Sequence, residues 1–259
     1  MHELIWKKNI PYDERYAACV LDVCEPADVE KAPLFIFFHG GGLEVGTQEI
    51  TPALRSLAED DGIAVVSVAY RMYPEAKFPD YLVDSANAIA WLCREWNIAE
   101  KYSKIVVGGS SAGGYISQML CFAGHYLRDA GVDASIIDGW FLDAGQPTTH
   151  FKVLAERGLD SRLVRIDDAA PLWYLNESFQ GKHTVPILIL SADQDMVNRL
   201  EQNMVLATAL KHLDYPAEQV ELRVMKGYRH CQYDRTQDAD GRYTFEKVIS
   251  AFILDRVGG

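Results

Sequence analysis

Short apolar runs alternate along the chain with longer stretches in which apolar positions recur every three or four residues. The short runs at Leu4–Trp6, Ala17–Val23, Leu34–Phe38, Ala64–Ala69, Ile105–Val107, Ile137–Leu142, Ile187–Leu190 and Val220–Val224 predict strands. The longer spacing predicts helices near Pro52–Glu59, Tyr81–Trp96, Ala112–Tyr126 and Arg199–His212, with a last one near Tyr243–Arg256. No helix separates the first two runs, which implies an antiparallel start. Strand and helix then alternate regularly. The run Leu34-Phe35-Ile36-Phe37-Phe38 is apolar at every position, as expected of a strand covered on both faces. The predicted fold class is therefore α/β, an about eight-stranded, mostly parallel sheet with helices on both faces. No repeat or Pro/Gly/Ser linker divides the chain, so residues 1–259 read as one domain. In such sheets chemistry gathers beyond the carboxyl ends of the strands.

One stretch breaks this rhythm. Between Leu142 and Ile187 more than 40 residues pass without a clean strand signal. A long excursion in a compact domain is commonly functional, so 143–186 is read as a lid or a substrate-pocket insertion. His150, Trp173 and Tyr174 within it are candidates to line a pocket for a sugar or an aromatic ring. Anchoring of the insertion to the core is the alternative role for the two aromatics.

Composition narrows the picture. Of 259 residues, 49% are hydrophobic and 24% charged, as in ordinary globular proteins. A chain of this length can bury its own core without disulfides or metals. Five cysteines (Cys19, Cys24, Cys93, Cys121, Cys231) show no metal-ligand spacing and read as reduced thiols. A net charge of −12, spread along the chain, disfavours nucleic acid and anionic membrane as partners, since both are polyanions. Nothing in Met1–Tyr16 reads as a signal peptide and no apolar run approaches membrane-spanning length, so the expectation is a cytoplasmic protein acting on a small molecule. No cofactor and no metal are expected.

The chemistry begins where the strand Ile105-Val106-Val107 runs into Gly108-Gly109-Ser110-Ser111-Ala112-Gly113-Gly114. Gly109-Ser110-Ser111-Ala112-Gly113 fits the G-x-S-x-G arrangement. Here a serine hydroxyl projects from a strand-to-helix turn too tight for side chains at the flanking positions. The same turn aims the amide of Ala112 and the helix N-terminus at the reacting oxygen. Upstream, Leu34–Phe38 ends in His39-Gly40-Gly41-Gly42, a glycine loop whose backbone N–H groups can approach a developing negative charge.

A serine nucleophile needs a base, and the base needs an orienting carboxylate. Among seven histidines, His39 belongs to the glycine loop and reads as structural, and His212 lies in a helical pattern. His2 and His183 have unpromising surroundings, and His125 ends the helix that starts at Ser111. His230 follows the last strand, where a loop can reach back over the serine, and is the favoured base, with His150 as the alternative. The strand Ile187–Leu190 ends in Ser191-Ala192-Asp193-Gln194-Asp195, so two aspartates compete as the acid, with Asp195 favoured over Asp193. The order Ser111, Asp195, His230 is the α/β-hydrolase order.

With these residues in view, the chain resembles the esterase branch of the α/β hydrolases that includes hormone-sensitive-lipase-like and acetyl- and feruloyl-esterase-like proteins. The resemblance runs from about Leu34 to His230. Its most specific piece is Ala69-Tyr70-Arg71-Met72-Tyr73-Pro74-Glu75-Ala76-Lys77-Phe78-Pro79 followed by Asp84, similar to a family segment that braces the sheet near the serine turn. The resemblance implies that Gly41, Gly42 and Ala112 donate amides to an oxyanion, and that Asp195 is the acid. It also implies a departure at Ser110, where the family often has an acidic residue. Leu43, a pocket candidate, replaces an aromatic that often follows the glycine loop. With 38 residues ahead of His39, a large N-terminal cap has no room, which implies the compact, capless esterases. The expected activity is hydrolysis of small or short-acyl carboxylic esters through a serine acyl-enzyme, carbohydrate-linked acetyl or feruloyl esters included. An aryl-formamidase or peptidase-like acyl hydrolase is the alternative within enzymes, and a non-catalytic ligand-binding homologue the alternative outside them.

Overall fold

The structure is a computed structural model and describes residues 1–176 and 184–258; His183, with the rest of 177–183 in the predicted insertion, lies outside the described residues. The strands are β1 (Leu4–Pro11), β2 (Val20–Pro26), β3 (Leu34–Phe38), β4 (Ala64–Val68), β5 (Ile105–Ser110), β6 (Gly139–Asp143), β7 (Ile187–Gln194) and β8 (Val220–Arg229). They form one sheet in the order β1-β2-β4-β3-β5-β6-β7-β8. β1 and β2 pair antiparallel, β2 pairs antiparallel with β4, and every pairing from β4 to β8 is parallel. The antiparallel start and the parallel remainder agree with the hydrophobic pattern.

Alternation along each strand feeds two cores. Leu34, Ile36 and Phe38 of β3 pack on one side of the sheet with residues of α2 (Asp80–Trp96), α4 (Ala112–Phe122) and α7 (Arg199–His212). Phe35 and Phe37 pack on the other side with α1 (Pro52–Asp60) and α8 (Thr244–Ala251). Each fully buried Leu, Ile or Phe is worth roughly 1.5–3 kcal/mol against exposure, so the two layers fix which face each strand residue takes. Short helices α3 (Ile98–Lys101), α5 (His125–Asp129) and α6 (Phe151–Glu156) complete the set.

Several boundaries differ from the pattern, each for a physical reason. β2 begins at Val20 rather than Ala17, because Cys19 N donates to Tyr16 O (2.9 Å) in a turn before the strand. The long helix expected over Ala112–Tyr126 is cut at Ala123, whose ψ of 62° leaves the helical region, and α5 resumes at His125. β5, β7 and β8 run past their apolar stretches toward the carboxyl edge. There the ladder continues through glycines and polar residues, with Gly109 opposite Leu142 and Ser110 opposite Asp143. The last helix ends as α8 and continues in a wider π turn over Phe252–Val257.

α1 starts on Thr51, whose Oγ1 accepts from Leu54 N (3.4 Å), with Pro52 at the first helical position. The Tyr70–Pro79 segment ties the sheet to the glycine loop. Tyr70 Oη donates to His39 O (2.7 Å), and Tyr73 N donates to Leu43 O (2.9 Å). Arg71 forms a fork on buried Asp84 (Nε to Oδ2 2.8 Å, Nη2 to Oδ1 2.7 Å) and stacks on the Tyr16 ring at 3.8 Å. Among the described residues no helix is long and apolar enough to cross a membrane.

Candidate active site

Ser111 sits between β5 and α4 with φ 56° and ψ −111°, a backbone conformation that side chains rarely adopt. The surrounding glycines make that turn possible. A Cβ on Gly109 would come within 2.5 Å of Phe38 O, and one on Gly113 within 1.9 Å of the same oxygen. Ser111 N donates to Asp143 O (2.8 Å), pinning the turn to the end of β6. The strain is thus held by the neighbouring strand and by close backbone packing.

Beyond β8 the chain reaches back over this turn. His230 Nε2 lies 2.8 Å from Ser111 Oγ, and its Nδ1 lies 2.6 Å from Asp195 Oδ1. Asp195 is almost wholly buried, and its Oδ1 also accepts from Met196 N (2.6 Å). Asp193 is exposed and accepts from Gly227 N (2.8 Å), bonding β7 to β8. The strand that was expected to end at Leu190 continues to Gln194, and a register shift between Ala192 and Gln194 parts the two carboxylates.

The glycine loop approaches from the other side. Gly41 has φ 114°, and a Cβ there would fall 1.7 Å from Val45 O. Its carbonyl accepts from both Glu44 N and Val45 N at 3.1 Å, which curls the loop. Gly41 and Gly42 line the cavity beside Ser111, while Ala112 is buried at the head of α4. Among the described residues, the N–H groups of Gly41, Gly42 and Ala112 have no protein acceptor. His39 has the structural part expected of it. Its Nδ1 donates to Gly40 O (2.7 Å), its ring stacks on Tyr70 at 4.5 Å, and burial lowers its pKa, favouring the neutral ring.

A second layer lies behind the serine and histidine. Asp143, fully buried at the end of β6, accepts from Ser110 Oγ (2.6 Å) and from Tyr233 Oη. Cys231 Sγ lies 3.9 Å from Asp143 Oδ2. Burial pushes the Asp143 carboxyl up to about 7, against the opposing pull of its two hydroxyl donors. Buried Arg199, at the head of α7, donates to Ala144 O and to Gln146 Oε1 (3.3 Å). Sequence reasoning missed Asp143, Tyr233 and Arg199. A usable signal existed for Asp143 alone: a carboxylate closing the apolar run Trp140-Phe141-Leu142 at a strand's carboxyl end.

The serine and histidine open into a cavity of about 930 Å³. Its walls come from Phe37, from Val45, Thr47, Glu49 and Thr51, and from Asp234, Arg235, Tyr243 and Phe245, with Met196 near the histidine. This corrects the expected pocket. Leu43, His150, Trp173 and Tyr174 do not line it. Leu43 is buried in the core on the α2/α4 side. His150 is buried between Tyr115 (ring centroids 4.9 Å apart) and Phe151 (4.2 Å), and its Nδ1 accepts from Lys152 N to cap α6. Burial holds its ring well below the usual imidazole pKa, and the partner that the serine finds is His230. Trp173 is half exposed, and Tyr174 donates to Asp168 O (2.8 Å). The part of the segment around Ala169 lies over α4, where Tyr115 Oη donates to Ala169 O (2.8 Å), whereas the cavity opens toward α1 and α8. Among the described residues of 143–186, only Phe151 reaches the cavity wall.

Parts of this chain are similar to known proteins. A protein of Arabidopsis thaliana named "Probable carboxylesterase 6" is 37% identical over 102 residues, 36% of this chain and 30% of that one. Carboxylesterase NlhH of Mycobacterium tuberculosis is 33% identical over 131 residues, 49% of this chain and 40% of that protein. The chain thus spans well under half the length of these curated relatives. The crystal structure of esterase B from Lactobacillus rhamnosis, inhibited by a C4-C4 tributyrin phosphonate, superposes with a TM-score of 0.74 at 16% identity. That match covers 96% of this chain and 85% of the other and shows a shared fold. Residues 35–234 match a family model described as the alpha/beta hydrolase fold, and the chain belongs to that family.

Proposed function

We propose that the protein is a carboxylic ester hydrolase that works through a serine acyl-enzyme. The observation that carries this reading is the unbroken line from Ser111 Oγ through His230 to Asp195, with spacings of 2.8 and 2.6 Å, at the wall of a cavity. Relatives named carboxylesterases support it. Ser111 Oγ attacks the ester carbonyl carbon while His230 Nε2 takes the hydroxyl proton. The carbonyl oxygen gathers negative charge, met by the N–H groups of Gly41, Gly42 and Ala112, each such donor being worth ~3 kcal/mol in a transition state. As the tetrahedral centre collapses, the C–O bond to the alcohol breaks, and His230 returns the proton to the departing alkoxide. A water then repeats the attack on the acyl-enzyme with His230 as base, releasing acid and free Ser111. Asp195 holds the Nδ1–H tautomer of His230 and stabilises the imidazolium formed in each half-reaction.

The cavity wall supports a substrate class. Phe37, Phe151 and Phe245 offer apolar faces, and Thr47, Thr51, Tyr243 and Asp234 place polar groups among them. That mixture suits short-acyl or aromatic-acyl esters of a polar alcohol, carbohydrate-linked acetyl and feruloyl esters included, better than a bare long alkyl chain. Turnover of p-nitrophenyl acetate tests the reading. Ser111→Ala is expected to lower kcat by at least 10³-fold with an unchanged far-ultraviolet circular dichroism spectrum. A variant that keeps wild-type turnover would exclude Ser111 as the nucleophile.

A further inference from the structure

The segment that carries His230 and the turn that carries Ser111 come from distant parts of the chain, and one buried carboxylate joins them. Asp143 accepts from Ser110, the residue before Ser111, at 2.6 Å. It also accepts from Tyr233, three residues after His230. Cys231, with φ 51°, turns the chain between His230 and Tyr233, and its sulfur lies 3.9 Å from the same carboxylate. The main chain of Asp143 adds a third tie by accepting from Ser111 N at 2.8 Å. A carboxylate taken out of water costs several kcal/mol unless its lone pairs are satisfied, so so buried a group is held by both donors together. Freeing either donor loosens the His230 segment or the serine turn, and a displacement on the order of 1 Å can cost ~10²-fold in rate.

We infer that Asp143 is a positioning residue that clamps the His230 segment to the Ser111 turn through Tyr233 and Ser110. The inference rests on the acyl-enzyme reading. The clamp is strongest with the ionised carboxylate, because hydrogen bonds to a charged acceptor are roughly twice as strong as neutral ones. The titratable and charged groups around it are Tyr233, Cys231 and His230 from the β8–α8 connection, Asp195 from the β7–α7 connection and Arg199 at the head of α7. Burial sets the carboxyl's titration near 7, so the clamp is at full strength above that pH and weakens below it.

Steady-state kinetics on p-nitrophenyl acetate from pH 5.5 to 9 test this with Asp143→Asn and Tyr233→Phe. Asp143→Asn mimics the protonated carboxyl. At pH 8.5 it should lower kcat at least tenfold with KM within about twofold. Its deficit against wild type should shrink as pH falls below about 7, since wild type then loses the charge that strengthens both bonds. Tyr233→Phe should lower kcat about tenfold at pH 8.5, again with KM little changed. A deficit constant across the pH range, or wild-type kcat in either variant at pH 8.5, overturns the inference. If Asp143→Asn does not fold, Tyr233→Phe decides alone. Ser111→Ala keeps the two readings apart. If it retains turnover the acyl-enzyme reading fails; if it is dead while both clamp variants behave as wild type, only the clamp fails.

Discussion

Two aspartates two positions apart have opposite fates, and the difference lies in their partners. Asp195 is buried against His230, while Asp193 is exposed and bonds a backbone amide of β8. Asp195→Asn is therefore expected to lower kcat by several orders of magnitude, because an amide favours the wrong imidazole tautomer and cannot stabilise imidazolium; a comparable change in a serine protease cost ~10⁴. Asp193→Asn should stay within about tenfold, since its carboxylate serves only the β7–β8 connection. Comparing kcat/KM of the two variants on one acetyl ester checks this, and a crippled Asp193→Asn beside an active Asp195→Asn would reverse the assignment. Asp143 carries a stability consequence as well. Its folded carboxyl titrates near 7, above its ordinary value of 3.8, so the folded state holds that proton more tightly than the unfolded chain. Stability from this group is present below about 4 and is lost as pH rises through 7. Asp143→Asn should therefore gain in Tm relative to wild type at pH 8 compared with pH 5, read by thermal melts at both values.

At the scale of elements, the serine turn is built by backbone proximity. Gly113 cannot carry a side chain, since its Cβ would overlap Phe38 O at 1.9 Å. Overpacking a tight interior costs typically 1–3 kcal/mol, and here the obstacle is backbone that cannot rotate away. Gly113→Ala is expected to cost at least about 3 kcal/mol or to prevent folding, with the urea midpoint as the measure; a midpoint equal to wild type would contradict the packing described. This turn was legible in the sequence because strand, glycines, serine and helix follow one another within a few residues. So were β3, apolar throughout, and α7, and the ends of both match the structure residue for residue. Illegible were features set by neighbours distant along the chain. The extension of β7 to Gln194, and with it the parting of Asp193 from Asp195, depends on pairing with β8. The break at Ala123 carries no proline, and Gly124 alone is a weak stop signal.

Across the whole molecule, the cavity lies on the side of the sheet that α1 and α8 cover. The glycine loop and α1 form one wall, and the chain between β8 and α8 forms the other. The sequence singled out 143–186 because it lacked strand signals, but length without regular structure does not say which side of the sheet a segment covers. Here its described part around Ala169–Tyr174 lies over α4, so Trp173 and Tyr174 stand away from the serine, while Phe37 and Phe245, which read only as core residues, face the cavity. The mixed wall predicts a substrate profile. Extra methylenes gain at most ~0.8 kcal/mol each when fully buried, and a wall interrupted by Thr47, Thr51 and Asp234 cannot bury a long chain. In a p-nitrophenyl series, kcat/KM should be highest from acetyl to butyryl and at least tenfold lower for decanoyl, whereas a maximum at decanoyl would mark a lipase-like groove. The central claim, that Ser111 is the acylated atom's bearer, is tested most directly by treating the native protein with a fluorophosphonate and mapping the adduct by peptide mass spectrometry. The account predicts one equivalent on the peptide containing Ser111, lost in Ser111→Ala and strongly slowed in His230→Ala. An adduct on another residue, neighbouring Ser110 included, or labelling that survives Ser111→Ala, would contradict it.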